Sequence, residues 1–211
     1  MLQMFIKRFF DYAFGMLMFI CASPFLLICA IVIKICSPES PILFRQERIG
    51  YKGKKINIYK MRSMTNERDE NGELLPDEAR LKTWGKIIRK TNLDEIPQVF
   101  NILKGELSLI GPRPLKENEM VVMNEDEQAK RQSMLPGISG WEAVNEGKTA
   151  NRREMAEYDL YYVENWSLWF DIKIFFLTIY VIFGNMRPED SVRAPKIEDE
   201  VVVAEKETVT K

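Results

Sequence analysis

The longest apolar run in the chain extends from Tyr12 to Ile33, YAFGMLMFICASPFLLICAIVI, 22 residues without a charge. At about 1.5 Å of rise per residue, a helix of that length can cross the hydrocarbon core of a bilayer. Ser23-Pro24 falls at its midpoint. An interior proline removes a backbone donor and clashes with the preceding turn, so the pattern predicts a helix broken at these two residues. Lys7 and Arg8 precede the run, and Lys34, Arg45, Arg48 and Lys52 follow it. The preference of basic flanks for the cytoplasmic side therefore pulls both ends to one face. A helix-break-helix that enters one leaflet and returns satisfies both flanks; a spanning helix with a tolerated proline is the alternative from hydropathy alone. A cleaved signal peptide fits poorly, because the run is too long and no small-residue cleavage pattern follows it.

A second apolar segment, ENWSLWFDIKIFFLTIYVIFG from Glu164 to Gly184, is interrupted by Asp171 and Lys173. That interruption argues for a helix in the headgroup layer, with Trp166 and Trp169 at the interface, or for one packed on the domain. Residues 185–211 mix charges with little apolar period and read as a disordered tail. Between the two apolar segments the chain is polar. Short β-like runs on either side of Tyr51-Lys52-Gly53 predict a hairpin. Thr65 to Arg80 is an acidic loop without a hydrophobic face. Helical pattern resumes near Asp77 and carries Trp84, Ile87 and Ile88 on one side. The expected fold is α+β and mainly helical, with a re-entrant membrane anchor at 1–36, a membrane-associated domain at 37–184 and a tail beyond.

Charge changes this picture locally, not globally. Thirty basic and 31 acidic residues leave a net charge of -1, so bulk basicity gives no reason to expect nucleic acid as a partner. From Arg45 to Arg62, however, seven Lys or Arg face only Glu47, and from Arg80 to Lys90 five more occur with no acid. The three cysteines, Cys21, Cys29 and Cys36, lie in or beside the first apolar run without metal-ligand spacing, and read as small hydrophobes. There is no histidine. Acid-base or nucleophilic work must then fall to carboxylates, lysines, tyrosines, thiols or a metal.

Two segments carry candidate chemistry. In KTNLDEIPQVFNILKGE, Asp94 and Glu95 precede a proline, and Ile96, Val99, Phe100 and Leu103 follow at helical spacing until Gly105. The carboxylates thus fall at a helix N-terminus, where free N–H groups and the dipole favour the ionised form. A capping role is the plain alternative. An ionised aspartate beside basic blocks is also suited to attack phosphorus, with a divalent metal offsetting phosphate charge. In LSLIGPRPL two prolines bracket Arg113, presenting its guanidinium from a stiff turn as bidentate phosphate recognition requires. A structural turn with a surface arginine is the other reading, and MLPGISGW, Met134 to Trp141, carries the same ambiguity.

Taken in order, KRFFD, the Ser23-Pro24 pair, FRQERIG, IYKMRSM, TNLDEIPQVFNILKGELSLIGPRP, LPGISGW and DLYYVENWSLWFDIKI resemble the bacterial sugar transferases, specifically the small monotopic phosphoglycosyl transferases. The resemblance implies a re-entrant helix at Ser23-Pro24 and a catalytic domain on the cytoplasmic face of the bacterial inner membrane. It implies transfer of a sugar-1-phosphate from a nucleotide sugar, UDP-linked and leaning toward an N-acetylated amino sugar, to a polyprenyl phosphate in the lipid bilayer. A nucleoside monophosphate is released, as the first membrane step of glycoconjugate assembly, with downstream glycosyltransferases as further candidate partners. By resemblance Asp94 is the nucleophile that forms an aspartyl intermediate, Glu95 assists, Mg2+ binds at Asp94, and Lys60, Arg62, Arg89 and Arg113 surround the phosphates. For Lys60 and Arg62, attachment to anionic lipid is the alternative. Where the family pattern reads Gly-Trp-Ala-Gln-Val-Asn-Gly-Arg-Asn, this chain reads GWEAVNEGKTANRR. The usual Gln falls on Ala143 and the usual Arg on Gly147, leaving Lys148, Arg152 or Arg153 to supply the missing charge. A metal-dependent lipid-phosphate hydrolase and a non-catalytic membrane-anchored scaffold are the rival readings.

Overall fold

The computed structural model describes residues 2–145 and 151–183; Gly147, Lys148 and the tail expected at 185–211 lie outside them. The fold is mainly helical, with two small two-stranded sheets. The first apolar segment is a single helix, α1 (Leu2–Cys36), and not the broken pair expected from Ser23-Pro24. Its continuity has a local cause. Pro24 has no N–H to give the Ile20 carbonyl four residues back, and Ser23 Oγ donates to that carbonyl at 2.9 Å. The serine supplies the donor that the proline lacks.

The covered positions of α1 repeat with the helical period: Lys7, Asp11, Gly15, Phe19, Ala22, Leu26, Cys29 and Ile33 are buried or half-buried. One stripe of the helix therefore lies on the rest of the protein along almost its whole length. The opposite side exposes Phe10, Leu17, Ile20, Phe25, Leu27, Ile28 and Ile31. At one end Cys29 and Ile33 pack with Met61 and Ile88. At the other, a Cβ on Gly15 would sit 3.0 Å from the Ile102 side chain, a tight contact that glycine avoids.

Strands β1 (Leu43–Ile49) and β2 (Lys55–Met61) form the expected antiparallel hairpin, with Leu43 opposite Met61 and Ile49 opposite Lys55. Its turn places Lys52 and Gly53 at φ 53° and 73°. The helix expected from Asp77 is two short ones, α2 (Asp77–Arg80) and α3 (Thr83–Lys90). Trp84 and Ile88 pack toward α1, whereas Ile87 is exposed. Adjacent residues on a helix point about 100° apart, and the core takes the i, i+4 pair.

A 3-10 turn (Leu93–Gln98) runs into α4 (Val99–Leu103), which ends at Gly105 with φ 78°. The fully buried Asn101 ties α4 to the hairpin, accepting from the Tyr59 N–H at 3.1 Å and donating to the Asn57 carbonyl at 2.7 Å. Strands β3 (Ser108–Ile110) and β4 (Gly137–Ser139) pair in parallel. Helices α5 (Glu125–Arg131), α6 (Trp141–Asn145), α7 (Arg152–Glu164) and α8 (Leu168–Phe183) complete the domain.

Helix α8 packs through Asp171 and Ile174 and leaves Trp169 exposed. Asp171, which interrupts the apolar run, is the hub that joins the two apolar helices. Lys7 Nζ donates to it at 2.7 Å, Tyr162 OH at 2.6 Å and Trp166 Nε1 at 3.1 Å, while Lys7 also reaches the Ile110 carbonyl at 2.7 Å. A buried ion pair with its remaining valences satisfied is the arrangement under which burial of both charges is tolerated. Arg8 bonds Asp11 and the Leu107 carbonyl. The basic residues ahead of the apolar run are thus bound by the domain, not held as free surface charge.

Candidate active site

The Asp-Glu turn, the hairpin and the two Pro-Gly segments converge on one cleft. Its wall includes Arg48, Lys60, Glu95, Gln98, Arg113, Ser139, Glu142 and Ala143. The floor is made where the two Pro-Gly turns meet. The Gly111 N–H donates to the Ser139 carbonyl and the Gly137 N–H to the Pro112 carbonyl, each at 2.9 Å. A Cβ on Gly137 would lie 2.1 Å from the Gly111 nitrogen, so these backbones approach to a distance that no other residue permits. IGPRP and LPGISGW, each ambiguous alone, are two halves of one structure.

Lys60 Nζ donates to Glu95 Oε1 at 2.7 Å from strand β2, which packs against the Asp-Glu turn. The cleft wall carries Glu95; Asp94 sits one residue back in the same turn, half-buried. Burial raises the Asp94 carboxyl above the ordinary aspartate range and the neighbouring Glu95 adds to the rise, while Lys60, a backbone N–H and Arg89 pull it down. The helix start was expected to favour the ionised form. Here that effect is confined to one short 3-10 turn and the burial outweighs it. Neither carboxylate caps this turn: Asn92, at φ 54°, holds the cap position.

Of the four basic residues expected around phosphate, the structure brings Lys60 and Arg113 to the cleft. Arg89 donates to Ser63 Oγ at 2.8 Å and is close enough to act on Asp94. Arg62 is directed elsewhere: it bonds the Pro41 carbonyl and Asn66 Oδ1 and lies over the Phe44 ring. Its place at the end of strand β2 aims it at the α1–β1 connection, away from the cleft. Of the candidates for the missing family charge, Arg152 pairs with Glu119 at 3.0 Å beside Arg48, whereas Arg153 is taken by Glu127 and Glu157.

Arg113 is held by its backbone and exposed at its side chain. Its N–H donates to Asp159, and its carbonyl accepts from Arg131, which itself bonds the buried Asp159 at 2.6 Å. The guanidinium remains 57% exposed, 4.0 Å from Glu142. Arg48, Glu142 and the Arg131–Asp159 pair were not anticipated as site residues. FRQERIG and DLYYVEN carry two of them, but no spacing rule connects segments that meet only in the fold.

Among the described residues no cluster of three or more Asp, Glu, His or Cys could enclose a metal ion. Mg2+ does not require one, since it commonly takes one or two carboxylates and completes its shell with water and substrate phosphate. A half-buried aspartate beside a second carboxylate fits that mode.

The cleft gathers carboxylates and guanidinium groups in a domain whose helix α1 is, by length and composition, long and apolar enough to cross a membrane. The chain belongs to the bacterial sugar transferase family, whose model matches residues 2–185. It is 43% identical over 176 residues to an uncharacterised sugar transferase, EpsL, of Bacillus subtilis, an alignment covering 83% of this chain and 86% of that protein. It is 38% identical to the UDP-glucose:undecaprenyl-phosphate glucose-1-phosphate transferase of Klebsiella pneumoniae, with 87% of this chain and 41% of the relative covered. It is 40% identical to the UDP-N-acetylgalactosamine-undecaprenyl-phosphate N-acetylgalactosaminephosphotransferase of Aeromonas hydrophila, with 84% and 44% covered. The chain thus spans less than half the length of these last two relatives.

Proposed function

We propose that this chain is a phosphoglycosyl transferase that moves a sugar-1-phosphate from a UDP-sugar to a membrane polyprenyl phosphate, by way of a covalent intermediate on Asp94. The observation that carries the reading is the convergence of Lys60–Glu95 and Arg113 on one cleft immediately beside Asp94. In the first half-reaction an Asp94 carboxylate oxygen attacks the sugar-bearing phosphorus. The bridging P–O bond breaks, and the nucleoside monophosphate leaves with the electron pair. In the second, a phosphate oxygen of the polyprenyl phosphate attacks the same phosphorus and displaces Asp94. Two half-reactions let a water-soluble donor and a lipid acceptor use one site in turn. Arg113 orients the diphosphate from its clamped backbone, Lys60 holds Glu95 in place, and Arg89 favours the ionised Asp94. Mg2+ held by Asp94 would supply charge neutralisation for an anion approaching an anion.

The outer face of α1 supports a position in one leaflet of the bacterial inner membrane, on the cytoplasmic side. A helix bound to one polar domain near both of its ends cannot carry those ends to opposite sides of a bilayer, while its exposed apolar face calls for lipid. The assignment of 1–36 as anchor and 37–184 as catalytic domain follows from this.

Purified protein incubated with magnesium and a panel of nucleotide sugars should release nucleoside monophosphate beyond about one equivalent per enzyme only when polyprenyl phosphate is also present. Release of inorganic phosphate from the lipid instead would identify a hydrolase. No turnover with any donor would leave a scaffold.

A further inference from the structure

Three cations of the cleft region already face carboxylates: Lys60 faces Glu95 at 2.7 Å, Arg48 faces Glu119 at 2.8 Å and Arg113 faces Glu142 at 4.0 Å. An arriving phosphate competes with these carboxylates, and they differ in where they can go. The Glu95 side chain is 44% exposed and has water to turn to. Glu119 keeps the Lys116 N–H and Arg152 as partners. The Glu142 side chain is only 3% exposed, yet it lines the cleft, and Arg113 is the cation it faces at ion-pair distance. It stands where the resembled pattern commonly has alanine.

A phosphate that engages Arg113 would leave an ionised Glu142 beside a new anion, with its own countercharge diverted and its side chain almost shielded from water. An ionised carboxylate only accepts hydrogen bonds, as does a phosphate oxygen; a protonated carboxyl donates. We propose that Glu142 is a phosphate-binding residue that works in its acid form: on arrival of the donor diphosphate it takes up one proton and donates its O–H to a phosphoryl oxygen. The proton comes from solvent and no covalent bond changes. This rests on the reading that the cleft takes the diphosphate of a nucleotide sugar.

The surrounding charges favour this behaviour. Burial pushes the Glu142 carboxyl up to about 7, Asp159 on α7 adds to the rise, and Arg113 and Arg131 on α5 oppose it. Little is then required to protonate it near neutrality, and an added anion raises it further. With the bound value above the free one, affinity is complete below about pH 7. Above that it falls by up to about tenfold per pH unit until the bound value is reached.

The test is isothermal titration of the full chain with the methylene-bridged analogue of UDP-glucose, which cannot transfer and keeps constant charge between pH 6 and 8.5. Runs in buffers of different ionisation enthalpy count protons. Uptake of about one proton at pH 8, with affinity falling about fivefold from pH 7 to 8, is expected. Glu142→Gln should bind with no uptake and a flat pH profile. Binding by wild type without proton uptake overturns the proposal, as does a Glu142→Gln profile that matches wild type. The wild-type proton count stands even if the variant fails to fold. No binding at any pH removes the diphosphate cleft itself and this inference with it, whereas binding without uptake removes the inference alone.

Discussion

At the residue scale the strongest consequence attaches to Asp94. If it forms the intermediate, donor alone should leave the protein heavier by one sugar phosphate in intact-protein mass spectrometry, before any lipid is added. Asp94→Asn is nearly isosteric and far less nucleophilic, so it should abolish the adduct and lower turnover at least about a thousandfold while the fold persists. Turnover without an adduct, together with kinetics of a ternary complex, would reassign Asp94 to metal binding and make the lipid phosphate the nucleophile. The basic residues give a second expectation because the structure separates them. Arg113→Lys keeps the charge and loses the planar fork, which should cost roughly 10- to 100-fold in turnover. Arg62→Lys should change little, since Arg62 faces Pro41, Asn66 and Phe44 instead of the cleft. Equal losses at both positions in a steady-state assay would contradict this division. Asp94, Glu95 and Arg113 stood out in the sequence because each lies in a segment with its own local signal, whereas Lys60, Arg62 and Arg89 were named by resemblance alone. Lys60 lies in strand β2 and Arg62 just past its end, two residues on, and nothing short of the packing of that strand's end distinguishes them. Glu142 escaped notice because its burial beside the cleft is visible only in the fold.

At the scale of elements, the hairpin and the Asp-Glu turn were readable from alternation and punctuation, whereas β3 and β4 were not. Each has three residues, and their pairing joins segments almost thirty residues apart through backbone contacts at Gly111 and Gly137. Helix α1 is the opposite case: its existence was plain, and its continuity was hidden in one side-chain hydrogen bond. If Ser23 Oγ replaces the donor that Pro24 lacks, the two residues are energetically coupled. Ser23→Ala alone leaves the Ile20 carbonyl without a partner and should destabilise the protein by about 1–2 kcal/mol in thermal unfolding in micelles. Pro24→Ala restores the backbone donor, so Ser23→Ala in that background should cost only a few tenths of a kcal/mol. An equal cost in both backgrounds would show that the serine acts in some other way.

At the scale of the whole molecule, α1 and α8 are fastened to the domain through Lys7, Asp171, Tyr162 and Trp166, and this fastening bears on topology. The basic flanks suggested that both ends of the apolar run stay on one side. The proposed one-leaflet placement draws on a more direct observation: residues 7–15 and 29–33 dock on the same polar domain. A spanning helix would have to tear one end away, exposing either the buried Lys7–Asp171 pair or the Cys29, Ile33, Met61 and Ile88 cluster. Breaking a buried pair alone costs about 3–5 kcal/mol. The chain carries a natural reporter at one end, the exposed Cys36, and Gln3→Cys supplies one at the other. With Cys21 and Cys29 replaced by alanine, a membrane-impermeant maleimide should label neither position from outside intact spheroplasts. It should label both in inverted membrane vesicles. Labelling of Gln3→Cys from outside while Cys36 remains protected would establish a spanning helix, detach α1 from the domain at its N-terminal end, and remove the placement of Asp94 against a single leaflet.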